Sequence, residues 1–112
     1  MRDTLPDILK PLMECPSVET QVCAVCGRAY PLNRHHVVRR GAGKVFKDGK
    51  EAPKPTVVLC GSGNVSGCHG LAHQNRLHFR NVGGRLAWKA FKEPIRYQEA
   101  LKESEGWRIL ED

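Results

Sequence analysis

The sequence predicts a small α+β domain, with a strand–loop–strand–helix core that carries metal-ligand side chains, a four-cysteine zinc knuckle and flanking helices. Three observations predict it. A CxxC pair, Cys23 and Cys26, is followed by two further cysteines, Cys60 and Cys68, within a chain of only 112 residues. The runs RHHVVRR (34–40) and PTVVLC (55–60) have the β-branched composition of strands. In CHGLAHQNRLHFRN (68–81), His69 and His73 stand four residues apart, a spacing that puts both imidazoles on one helix face.

The remaining elements follow in order. Residues 3–14 hold Leu5, Ile8, Leu9, Leu12 and Met13 at helical spacing, interrupted by Pro6 and Pro11, which predicts a short helix or two turns. QVCAVCGRAY (21–30) predicts the knuckle, with Gly27 in its tight turn. GAGKVFKDGKEAPKP (41–55) predicts a loop with a turn at Asp48-Gly49, and GSGNVSG (61–67) a flexible one. After Gly83-Gly84, RLAWKAFKE (85–93) predicts a helix, and Pro94 opens a last one, IRYQEALKESEGW, that Gly106 can cap. These elements make one domain. Residues 1–20 form an N-terminal helical extension, 21–81 the knuckle and core, and 84–112 the C-terminal helices. The central order of two strands and a helix with ligands at both ends is a ββα-metal arrangement.

Hydrophobic residues are 40% of the chain but aromatics only 6%, so the core is modest and needs a staple. No apolar run approaches the ~20 residues of a membrane span. MRDTLPDILKPLMEC lacks the basic start and apolar stretch of a signal peptide. The expectation is a reducing cytoplasm, where cysteines bind metal more often than they form disulfides.

Between residues 28 and 92 there are 13 lysines and arginines against two acids, Asp48 and Glu51, and all five histidines fall in the same window. A concentrated basic middle suits a polyanion such as nucleic acid, although a solvated basic surface has the same composition. The CxxC sets two thiolates on one turn, and the glycines between Cys60 and Cys68 let the chain fold back. One closed, structural zinc on Cys23, Cys26, Cys60 and Cys68 is the favoured reading, with four buried thiols or disulfides as alternatives. Such a site supplies roughly ten kcal/mol in isolated finger peptides. Cys15 is left over and packs.

His35 and His36 are adjacent on a strand, so their side chains point to opposite sides. One can face a metal while the other faces a water at the same phosphate. Arg76 and Arg80 continue the predicted helix face of His69 and His73, which sets guanidiniums beside a Lewis acid. His78 lies off that face and receives no role.

NRHHVVRRG followed by VVLCGSGNVSGCHGLAHQ resembles the HNH nuclease family, its small phage-associated members above all, and the colicin DNases in the HH…HxxxH pattern. The resemblance covers residues 21 to 80. It implies that His35 binds a catalytic metal and that His36 is the general base, with His69 a ligand and His73 completing or supporting the set. The family's usual asparagine falls at Pro55, so Thr56 or Asn64 is the candidate to replace it.

The implied reaction is hydrolysis of a DNA phosphodiester at one divalent ion, leaving 5′-phosphate and 3′-hydroxyl ends. An imidazole ordinarily titrates near neutrality, which suits a base. Imidazole ligands favour Mn, Ni, Co or Zn, with Mg also workable. Arg34, Arg39, Arg40, Arg76 and Arg80 are the candidate phosphate contacts to double-stranded DNA. A monomer is expected, with a dimer as the alternative; a monomer with one site nicks, and double-strand cuts need two copies or two visits. The resemblance also implies a phage or prophage gene acting in the bacterial cytoplasm, with packaging proteins as partners. Two other readings stay open: a non-catalytic zinc module that only binds nucleic acid, and an interaction knuckle in a phage assembly.

Overall fold

The computed structural model describes residues 5–38, 46–47, 49–63 and 65–110. A 3-10 helix (Lys10–Glu14) leads to β1 (Leu32–His36), the short strands β2 (Phe46–Lys47) and β3 (Lys50–Glu51), and β4 (Thr56–Cys60). Then come helix α1 (Gly67–His73), β5 (Leu77–Val82), β6 (Arg85–Ala90), helix α2 (Tyr97–Ala100) and β7 (Arg108–Ile109). The strands form three antiparallel sheets: β1 with β4, β2 with β3, and β5–β6–β7 in that order.

Strand β4 is the hub. Val57, Val58, Leu59 and Cys60 are all buried, as a β-branched and aliphatic run requires when a strand is covered on both faces. One edge pairs with β1 in the register Leu32↔Cys60 through His36↔Thr56. The other edge receives the preceding chain. The Val18 N–H donates to the Thr56 carbonyl at 2.8 Å, and the Ala24 N–H to the Val58 carbonyl at 2.9 Å. The knuckle is thereby delivered to the end of β4. Leu12, Val18, Val38, Val57, Leu59, Phe79 and Leu86 make the core around this strand.

Helix α1 stops well before the sequence reading expects. Asn75 adopts φ 61°, the Asn75 N–H donates to the Ala72 carbonyl, and the Arg76 N–H donates to that of Leu71. That is a Schellman ending with asparagine in the left-handed position. The predicted helix over 68–81 is corrected accordingly: its second half is β5. The predicted helix over 85–93 is also corrected, because Gly83 and Gly84, at φ 62° and 89°, form a two-residue hairpin turn into β6. The last predicted helix shrinks to Tyr97–Ala100. Arg80 donates to the carbonyls of Leu101 and Glu103, and Lys89 to that of Glu105, so the next carbonyls serve sheet cations instead of a continuing helix. β7 then adds to β6, and the Leu110 N–H closes on the Leu86 carbonyl at 2.8 Å.

Smaller differences complete the comparison. β1 begins and ends earlier than RHHVVRR, since Val37 and Val38 already lie beyond it. The stretch read as a loop over 41–55 contains the β2–β3 hairpin, turned at Gly49 with φ 80°. Arg39, Arg40, Asp48 and Asn64 lie outside the described residues. Among the described residues no helix is long and apolar enough to cross a membrane.

Leu86 is 1% exposed and links β6 to the β4 core. Leu86→Ala is expected to lower unfolding free energy by about 2–5 kcal/mol in urea titration. A smaller loss, or a separate second transition, would show that β5–β7 is an independent layer.

Candidate metal centre

Four sulfurs converge at the end of β4. Cys23, Cys26, Cys60 and Cys68 each place Sγ within 4.8 Å of the others. Cys26 and Cys60 stand 3.4 Å apart, too far for a disulfide, and all five cysteines are free thiols. Tetrahedral zinc with sulfur ligands has an edge of about 3.8 Å, which this cluster spans. Two backbone donors point at sulfur: Cys26 N–H to Cys23 Sγ at 3.5 Å, and Cys68 N–H to Cys60 Sγ at 3.4 Å. Cys15, buried and distinct from the cluster, lies against the Pro11 carbonyl.

The loop between Cys60 and Cys68 folds back because its glycines permit it. Gly67 sits at φ 65°, and a Cβ there would meet the Cys60 carbonyl at 2.5 Å. The side-chain amide of Asn33 on β1 donates to the Gly61 carbonyl, and the Gly61 N–H donates to the Pro31 carbonyl. Asn33 is a site residue that the sequence reading missed. Its signal was the two-residue spacing from His35, which puts both on one face of β1.

The surroundings treat these thiols differently. Burial pushes the Cys23 thiol up, but backbone N–H groups of Cys26, Cys60 and Val25 outweigh it and bring the thiol down to about 7. Burial, and then the charge on Cys23, drive the Cys68 thiol up. Burial also raises Cys26. A cation among the four sulfurs would favour their thiolate forms.

A second cluster forms between β1 and α1. His35, His69 and His73 each offer one ring nitrogen within 4.8 Å of the other two. The Nε2 atoms of His69 and His73 are 3.2 Å apart, close to the about 3.3 Å edge that nitrogens adopt around tetrahedral zinc. The three rings meet nearly at right angles, at 73°, 79° and 82°. His69 is buried and its Nδ1 lies 2.7 Å from the Gly63 carbonyl. Donation there fixes the tautomer that leaves Nε2 as a lone-pair ligand. The Gly63 carbonyl is a second contributor that residue-type reasoning could not see. His35 is half-buried and His73 exposed, so the cluster opens to solvent on the His73 side.

His36 continues β1 next to this cluster, directly opposite Thr56. The Val37 N–H donates to the Pro55 carbonyl at 3.2 Å, and the Thr56 N–H donates to Ser17 Oγ at 3.0 Å. Main-chain N–H groups thus tie the segment around His36 to Pro55 and Ser17.

The proposed arginine ridge is corrected. Arg76 lies past the end of α1 and its Nε donates to the Phe91 carbonyl at 3.3 Å. Arg80 is on β5, bonded to the carbonyls of Leu101 and Glu103 and stacked over Trp107 at 5.2 Å. Neither extends a helix face from His69 and His73. Arg34, on β1 beside His35, is exposed and pairs with Glu19 at 2.8 Å. His78 is buried, with Nε2 2.7 Å from the Ile95 carbonyl, a packing role.

Gly67→Ala is expected to lower zinc content to the level of Cys60→Ser while Gly49→Ala, at an open turn, leaves it unchanged; elemental analysis of purified protein reads this. Zinc retention against a chelator is expected to weaken as pH falls from about 8 to about 6, since protons compete for the thiols. Retention independent of pH would exclude thiolate ligation. No protein-family model, curated protein or solved structure matches the chain.

Proposed function

We propose that the protein is a metal-dependent endonuclease of the HNH type, acting on DNA, with a structural zinc on the four cysteines. The observation that carries this reading is the convergence of His35, His69 and His73 from one strand and one helix, with His36 adjacent.

The two clusters differ in charge, and that difference supports a division of labour. Four thiolates more than cancel the charge of a zinc ion and fill its tetrahedron, giving a closed site suited to structure. Three neutral imidazoles leave a divalent ion its full charge and an open position. Such a centre favours an anionic oxygen ligand. A phosphodiester matches it, and a divalent ion held there would supply charge neutralisation to the phosphate.

The chain's own residues divide the remaining work. His35, His69 and His73 would hold the ion, with the Gly63 carbonyl orienting His69. His36 is the residue that accepts the proton of the attacking water. Arg34 reaches a phosphate once Glu19 releases it. Arg39 and Arg40 follow in sequence as further phosphate contacts. Mg, Mn, Ni, Co or Zn are the candidate ions, and a single site in a monomer nicks one strand. A phage or prophage origin, a cytoplasmic setting and packaging partners remain part of this proposal on the sequence resemblance alone.

Purified protein is expected to convert supercoiled plasmid to nicked circles with a divalent metal, and to lose this in EDTA. His36→Ala is expected to reduce the rate by about 10²- to 10⁴-fold while retaining metal. A plasmid shifted in a gel but uncut under every metal would sink the nuclease reading in favour of a non-catalytic nucleic-acid-binding module.

A further inference from the structure

A cavity of about 240 Å³ lies beside the imidazole cluster. His35, His36, Asn75 and His78 give it polar lining; Leu9, Leu12, Phe79 and Tyr97 are among its other lining residues. Leu12 and Phe79 are 2% and 4% exposed, so these walls belong to the packed core and are fixed in place. Phe79 is also in ring contact with His35, at 6.0 Å between centroids. The aromatic wall and the imidazole cluster therefore share a boundary.

A phosphate at the cluster needs cations and hydrogen-bond donors, and it gains nothing from leucine and phenylalanine. Apolar walls beside polar ones instead suit a planar ring with a polar edge. The volume falls below the roughly 300–1,000 Å³ of pockets that enclose drug-sized ligands, so one ring system fits rather than several. We propose that this cavity receives the nucleobase of a nucleotide whose phosphate sits at His35, His69 and His73. This assignment rests on reading the cluster as a phosphodiester site. It has a consequence for the substrate. A base reaches such a cavity only after leaving its stack, at a cost of a few kcal/mol in a duplex and least where it is already unpaired. Unpaired, mismatched or single-stranded DNA is then preferred over intact duplex.

The test compares two probes that share one phosphate: 2′-deoxyadenosine 5′-monophosphate and 2-deoxyribose 5-phosphate. Each is titrated into zinc-loaded full-length protein and followed by methyl and aromatic NMR resonances. The nucleotide is expected to bind about 5- to 100-fold more tightly, as stacking on an aromatic wall provides, and to shift Leu9, Leu12 and Phe79. Leu9→Trp, which fills the cavity from its half-buried rim, is expected to abolish that preference while sugar phosphate still binds. Ala72→Leu, from the α1 side of the same cavity, is a second filling variant should the first fail to fold. Equal affinity for the two probes, or shifts confined to residues away from the cavity, would overturn the assignment. Nicking of plasmid alongside equal affinities would leave the nuclease reading standing and remove only the base site. Preference for the nucleotide without any nicking would retain the base site and remove the nuclease.

Discussion

Four thiols held within 4.8 Å of one another cannot all ionise unless a cation stands between them. Their convergence joins the residue 21–30 turn, the end of β4 and the start of α1 at one point, three pieces well separated in sequence. In a chain with few aromatics, a metal closing those loops would offset conformational entropy that a modest apolar core meets only with difficulty. The backbone cooperates. Ala24 hydrogen-bonds to Val58, Asn33 and Pro31 hold Gly61, and Gly67 accepts a conformation and a close approach that no side chain allows.

The imidazole cluster inherits its position from the same constraint. His69 immediately follows Cys68, and β1, which carries His35, pairs with the strand that ends in Cys60. Fixing the sulfurs therefore fixes the helix start and the sheet between which three imidazoles meet. One set of elements presents a four-sulfur cluster and, beginning one residue further along α1, a three-imidazole cluster that opens to solvent at His73. The proposed chemistry depends on this contrast. A structural centre that attracted anions would be labile, and a hydrolytic centre wrapped in thiolates would have neither charge nor room for a phosphate.

Basic residues contribute less uniformly than their number suggests. Arg76, Arg80 and Lys89 are engaged with carbonyls of the C-terminal chain, and Arg80, Lys89 and Arg108 lie over aromatic rings. These cations organise the β5–β7 layer and its connection to α2. Arg34 is different, because it is exposed on β1 and answered by a single exposed carboxylate. The arginine exposed beside the imidazole cluster therefore stands on β1 and not on a helical ridge.

Ligand identity was legible in the sequence because metal sites are written in residue type and short-range spacing. The CxxC, the paired histidines and the HxxxH needed no tertiary information to be grouped, and both groups converge in the fold. β4 was equally legible from its β-branched composition. The C-terminal third was not. Helical and strand readings of LHFRNVGGRLAWKA differ by which neighbours cover each face, and the Asn75 stop and the Gly83-Gly84 turn outweighed an apparent helical period. The sequence by itself thus determined which atoms can bind metal and where one central strand runs. Only the tertiary structure decided which cations remain available, which main-chain carbonyls orient the ligands, and that a cavity adjoins His35 and His36, because each of these depends on contacts between residues distant in the chain.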